Sequence, residues 1–194
     1  RAQTQFTIGE LNIGYASTGA RNLISANRIA AISVAPRQRF VATSIEGNLI
    51  GTDRTGNVPL ANAAGIVFTQ PHPRCITLLQ VRDNVIAASS GDGLRMNVAN
   101  PPLLPDSCVV QTPEPLTILH NRIGVGLDEN AWMPNGGTAI RIDGVIARPP
   151  GFASGGDGNT LIGGRFADTQ NLLMHQNGPA IVIVGAATRI PISG

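Results

Sequence analysis

The sequence predicts an all-β solenoid of short stacked coils, and three observations carry that prediction. A pattern of fixed offsets recurs along the chain, two repeat types interleave, and apolar residues inside each repeat run at period 2. The first type appears three times. Asn22-Leu23-Ile24-Ser25 leads to Ala31-Ile32-Ser33-Val34, Asn84-Val85-Ile86-Ala87 to Gly93-Leu94-Arg95-Met96, and Asn171-Leu172-Leu173-Met174 to Ala180-Ile181-Val182-Ile183. In each copy the small residue falls nine positions after the Asn and the apolar residue ten. The second type, Gly47-Asn48-Leu49-Ile50-Gly51-Thr52-Asp53 running on to Gly65-Ile66-Val67-Phe68, has its partner in His120-Asn121-Arg122-Ile123-Gly124, running on to Ala139-Ile140-Arg141-Ile142. The order is first, second, first, second, first. A linking piece recurs as Thr7-Ile8-Gly9 before the first unit and Leu161-Ile162-Gly163-Gly164 before the last.

Each element follows from its alternation. In the five later strands, positions two and four are always apolar, while position three holds Ser33, Val67, Arg95, Arg141 or Val182. Two arginines there put that side in solvent, so these are strands with one buried face. In the earlier strands, Ile24, Ile50, Ile86, Ile123 and Leu173 are the inward positions. The preceding position accepts Arg122 and is expected to point out. Gly, Asn and Asp between strands supply turns. No segment reads as a long amphipathic helix. Stacked coils bring Ile over Ile inside and Asn over Asn at a bend, where amides can bond along the stack.

Composition fits this picture and excludes other classes. The chain has 194 residues, 42% hydrophobic and 13% charged, with a formal net charge of +2. That is neither the low hydrophobicity nor the high charge of disorder. All 14 basic residues are Arg, spread along the chain, so no basic patch points to nucleic acid and Lys chemistry is ruled out. No apolar run is long enough for a membrane span. Aromatics are only 4%, as suits a narrow aliphatic interior, and 15 Asn suit polar corners. At about 20–29 residues per repeat, six to eight coils are expected. They form one domain over residues 1–194, or a segment of a longer chain. Scarce charge and absent Lys favour a secreted protein. None of the Asn lies in an Asn-x-Ser/Thr sequon, which favours a bacterial source or a structural use for Asn.

The run Gly47-Asn48-Leu49-Ile50-Gly51-Thr52-Asp53-Arg54-Thr55-Gly56-Asn57, followed by Asn62 and Gly65-Ile66, resembles the repeat of secreted bacterial right-handed parallel β-helix proteins, with the pectate-lyase-like superfamily fold. The Asn-x-Ile-Ser…Gly-Ile form beside it resembles their alternating unit. The likeness spans residues 7 to 184. It implies a right-handed parallel β-helix and a secreted or cell-surface location. It does not imply an activity, because the fold hosts lyases, hydrolases, epimerases, tailspikes and adhesins alike. The second copy departs from the pattern, with Ile123-Gly124-Val125-Gly126-Leu127-Asp128 where Ile-Gly-Thr-Asp is usual. Residues 69 to 82, 97 to 119 and 143 to 157 fit it poorly and read as coils with loop excursions.

Candidate sites are few. Asp53 and Asp128 lie in loops of the second repeat type, and paired carboxylates there could serve glycoside chemistry. The other reading is that each Asp caps its own turn. Arg141 beside Asp143, and Asp92 near Arg95, are the nearest suggestions of lyase chemistry. No acids recur at one strand position as a Ca²⁺ site would need, so no cofactor is expected, with Ca²⁺ the one left open. His72, His120 and His175 occupy different registers, which argues against a shared metal. Gly155-Gly156-Asp157-Gly158-Asn159 precedes a strand and reads as a turn. Trp132 either stacks on a sugar ring or folds back as a lid. Cys75 and Cys108 are the only cysteines; each opens a strand ahead of an Asn-x-Ile unit, and stacking in neighbouring coils would permit a disulfide.

Three functions compete at this level. The leading expectation is a structural or binding module for adhesion, surface assembly or glycan contact. An alternative is a polysaccharide-active enzyme on acidic glycans using Asp53, Asp128 and Arg141. A second alternative is a subunit that self-associates end to end, because no amphipathic helix caps the terminal coils. Expected partners are accordingly a polysaccharide, a cell-surface component or a second copy, with neither nucleic acid nor a membrane span.

Overall fold

The computed structural model describes residues 8–15, 21–34, 40–70, 79–98, 116–144, 161–164, 169–184 and 192. Among these there is no helix, and fifteen strands form three parallel five-stranded sheets. The first sheet holds β1 (Ile8–Ile13), β4 (Phe40–Glu46), β7 (Leu79–Arg82), β10 (Leu116–Leu119) and β13 (Leu161–Ile162). The second holds β2 (Leu23–Ile24), β5 (Leu49–Ile50), β8 (Val85–Ile86), β11 (Arg122–Ile123) and β14 (Leu172–Leu173). The third holds β3 (Ile32–Val34), β6 (Ile66–Gln70), β9 (Leu94–Val98), β12 (Ile140–Gly144) and β15 (Ile181–Val184). Three consecutive strands make one rung, and five rungs stack in register as a right-handed parallel β-helix.

Three aliphatic columns fill the interior. Ile13, Ile45, Val81, Ile118 and Ile162 align in the first sheet. Ile24, Ile50, Ile86, Ile123 and Leu173 align in the second. Ile32, Ile66, Leu94, Ile140 and Ile181 align in the third. The expected outward column, Ser33, Val67, Arg95, Arg141 and Val182, is also in register. Rungs repeat at about 4.8 Å, so identical side chains meet at van der Waals contact and exclude water.

The corners explain the asparagines. Before the middle three second-sheet strands, β5, β8 and β11, the chain turns through a positive φ, at Gly47, Asp83 and His120 (66°, 59° and 52°). A turn there takes the backbone out of the sheet ladder, and buried N–H groups must find other partners. The next residue is Asn48, Asn84 or Asn121, each buried. The backbone and side-chain amides of Asn48 both donate to Asn84 Oδ1, at 3.0 Å. Those of Asn84 donate to Asn121 Oδ1 and those of Asn121 to Asn171 Oδ1. Asn22 Nδ2 joins the other end by donating to Asn48 Oδ1. Asn84 Nδ2 also reaches the Ile45 carbonyl at 2.8 Å, tying the corner to the first sheet. A second ladder at the next corner joins Asn27 to Asn62 and, after a break at Ser89, the Ser89 amide to Asn135 and Asn135 to Gln176. Ser89 is its short member, and its buried hydroxyl has no partner among the described residues.

Four sequence expectations are corrected. The ladder positions are separated by 26, 36, 37 and 50 residues, so the described residues form five rungs rather than six to eight. The added length falls mostly between the third sheet and the next strand of the first. The linking piece is Ile13-Gly14 rather than Ile8-Gly9, since Ile13 shares the column of Ile162. Second-sheet strands have only two paired residues each, where the repeats predict strands of four or five. Finally, the position expected to point into solvent is buried at Leu49 and Val85 (5% and 2% exposed).

That last burial comes from the loops of the second repeat type. Residues 51–61 and 124–134 leave rungs 2 and 4 at equivalent points. Their antiparallel bridges, Thr52 with Pro59 and Val125 with Trp132, align the two loops without a gap. Rung 3 has no such insertion, because Ala87-Ala88 leads straight to Ser89. The loops therefore meet across two rung spacings. Leu127 N donates to Gly56 O at 3.0 Å, and Asp128 N to Asn57 Oδ1 at 2.7 Å. Met133 folds over rung 3 into a satellite core with Leu49, Val85 and Ala87. Leu60 and Leu23 hold the corresponding places beside rung 1 and are 44% and 50% exposed, since no second loop meets them there.

Two stability predictions follow from these contacts. Asn84→Ala orphans buried groups in two neighbouring rungs, each worth roughly 1–3 kcal/mol, and should cost about 3 kcal/mol in urea unfolding, whereas Ser89→Asn should raise the midpoint by restoring the ladder. Met133→Ala should cost about 3 kcal/mol, while Leu60→Ala, at the equivalent but exposed place, should cost well under about 1 kcal/mol. Equal losses from the two loop variants would refute the satellite core.

Candidate functional site

The loops of rungs 2 and 4 form a ridge along the corner between the second and third sheets, and of the sequence-nominated residues Asp53, Asp128, Trp132 and His175 sit on or beside it. Local hydrogen bonding decides what each can do. Asp53 Oδ1 accepts from the Thr55 amide and hydroxyl and from the Asn57 and Val58 amides. The Thr55 hydroxyl, assisted by those amides, holds its carboxyl below the usual aspartate range. Asp128 Oδ1 accepts from the amide and side chain of Asn130, at 3.0 and 3.1 Å. Both carboxylates thus close their own turns. The ungapped loop alignment pairs Asp53 with Gly126 and Asp128 with Thr55, so the two acids are not at equivalent positions.

Arg141 lies elsewhere, on the outer face of the third sheet. Its Nε donates to both Asp143 oxygens at 2.9–3.0 Å, and Arg95 from the rung before reaches the same carboxylate at 3.2 Å. Arg141 chiefly, then Arg95, holds the Asp143 carboxyl low. Asp92, named beside Arg95 in the sequence, accepts from the Thr138 amide at 2.8 Å instead. Among the described residues no hydrogen bond or ion pair joins Asp53, Asp128 and Arg141 to one another.

A separate charged cluster follows the corner of the first and second sheets, and His120 is its one member nominated from the sequence. Arg82 bridges Glu46 at 3.0 Å and Asp83 at 3.7 Å, and Asp83 pairs with His120 Nδ1. Burial alone would raise Glu46, but the bonds from Arg82 and Ser44 outweigh it and hold the carboxyl below its ordinary range. Among the described residues no group of three or more His, Cys, Asp or Glu could hold a metal ion. No helix there is long and apolar enough to cross a membrane. His72, Cys75 and Cys108, with the expected disulfide, lie outside the described residues, as does the 155–159 glycine run.

Trp132 is the distinctive feature. In the returning arm of the second loop, alternation sends Met133 into the satellite core and therefore Trp132 outward. Trp132 is 70% exposed, and its ring stacks on His175 of rung 5, centroids 4.3 Å apart and planes at 26°. His175 sits at the positive-φ corner (54°) that Ala26 and Ala88 occupy in rungs 1 and 3. Its Nε2 is turned inward, without a hydrogen-bond partner among the described residues. Sequence reasoning nominated Trp132 but not this partner, since 43 residues separate them and only the stacking of rung 5 on rung 4 joins them.

The internal repeat supplies a control. One pair of rungs earlier, the places of Trp132 and His175 hold Pro59 and Ala88. The same loop and corner form there without any aromatic stack, so the fold does not require this pair. What the pair adds is a supported, exposed indole face. Neither a family model, nor a curated protein, nor a solved structure matches this chain. The site therefore stands on its own geometry, a loop ridge on a parallel β-helix.

Asp53 carries a pH prediction. Its carboxyl is lower in the fold than the ordinary value of about 3.9, so its contribution is complete above that value and lost as pH falls through the folded value. Amide exchange at Thr55, Asn57 and Val58 should accelerate below about pH 4 relative to the rung cores, and Asp53→Asn should remove that acid dependence.

Proposed function

We propose that this chain is a structural and binding β-helix module of a secreted or cell-surface bacterial protein, and that it contacts glycan through the Trp132 platform. The observation that carries this reading is the exposed indole backed by His175 at a place where the fold itself needs only Pro and Ala. A pyranose presents flat C–H faces, and an aromatic ring held in place offers an apolar face without losing side-chain freedom on binding. The repeat's likeness to secreted bacterial β-helix proteins supports the location. Catalysis on acidic polysaccharide through Asp53, Asp128 and Arg141 draws less support. The two acids close their own turns, and the arginine is paired on another face.

Trp132 is the only tryptophan in the chain, so intrinsic fluorescence reports the platform directly. Titration with a polysaccharide panel should shift its emission saturably. Trp132→Ala should weaken binding about tenfold or more, as loss of a central aromatic anchor does. The same variant should keep the parent's thermal unfolding. A panel without any saturable shift would refute the glycan platform.

A further inference from the structure

We infer that the Trp132 platform selects neutral glycans over uronic-acid glycans. The inference rests on the platform reading and adds the ligand's charge class. The hairpin that carries Trp132 has an acidic tip, Asp128-Glu129, exposed on both residues. Glu129 is balanced by Arg122 at 3.1 Å. Asp128 is not: its hydrogen-bond partners are the neutral amides of Asn130, and among the described residues it has no ion pair. Among the described residues one negative charge is left over on the hairpin that carries the indole. Arg54, the cation nearest in kind, belongs to the other loop, which carries its own acid, Asp53. Arg95 and Arg141 are on the third sheet, engaged with Asp143.

Among the described residues the far side of the platform is uncharged. From Thr169 to Asn177 the chain reads Thr-Gln-Asn-Leu-Leu-Met-His-Gln-Asn, with His175 the only titratable side chain. Gln170 and Asn177 are exposed, and their amides can donate to and accept from sugar hydroxyls. Among the described residues, a uronate carboxylate placed on this surface would find no counter-charge along 169–177 and would be repelled by Asp128. One like charge several Å away in water weakens binding by roughly twofold to fivefold per repelled group, an effect that salt screens.

The test uses oligosaccharide pairs that differ only at C6: glucose, galactose and mannose oligomers and their uronic-acid counterparts, titrated by Trp132 emission. At low salt the neutral member of a binding pair should bind at least about threefold more tightly. The gap should narrow in 0.5 M salt (roughly a 4 Å screening length) and in Asp128→Asn, whose side-chain oxygen still accepts from Asn130. A uronate member binding as tightly as its neutral counterpart at low salt overturns the selectivity and leaves the platform standing. Failure of every member of both sets overturns the platform, and the selectivity with it.

Discussion

A β-helix must turn its chain at every corner without leaving buried amides unpaired, and the asparagine ladders meet that constraint here. The Asn48–Asn84–Asn121–Asn171 series works because one side-chain oxygen accepts two donors from the preceding rung while the side-chain nitrogen reaches the following one. Each amide can bond in both directions along the axis, which hydroxyls cannot do as well; Ser89 shows the difference by leaving its oxygen unpartnered. The aliphatic columns contribute the larger burial, but they are not directional. The ladders fix which rung lies on which.

The alternation of short and long corners follows from the same stacking rule. Loops on consecutive rungs would have to share one spacing of about 4.8 Å, too little for a hairpin with side chains on both faces. Loops on every second rung have twice that room, and Met133 and Leu127 fill it. A position that would face solvent in an isolated sheet is covered as a result. The alternation also repeats one environment within the molecule. That repetition separates what the fold needs, Pro59 and Ala88, from what was added to it, Trp132 and His175.

Charge is sparse, and most described acids are used within a turn or an ion pair. Asp53 and Asp128 bind the amides of their own loops, Asp92 binds the next rung, and Asp143 pairs with two arginines. A carboxylate in a Gly- and Asn-rich turn is indistinguishable in sequence from one poised for catalysis. The difference lies in which donors converge on it.

The sequence by itself determined the fold class, the five-strand columns of the second and third sheets and the asparagine corners, because a stacked repeat makes sequence offset and spatial neighbourhood nearly the same thing. It also marked Trp132, since a single indole in so aliphatic a chain stands out. It missed the first sheet as a separate layer: Leu79–Arg82 and Leu116–Leu119 follow stretches of irregular length that hide their register. Only the tertiary structure decided that Leu49 and Val85 are buried, that Asp53 and Asp128 are not counterparts, and that His175 lies under Trp132. All three depend on how loops from different rungs pack sideways, and sideways packing across unequal connections leaves no periodic trace in the chain.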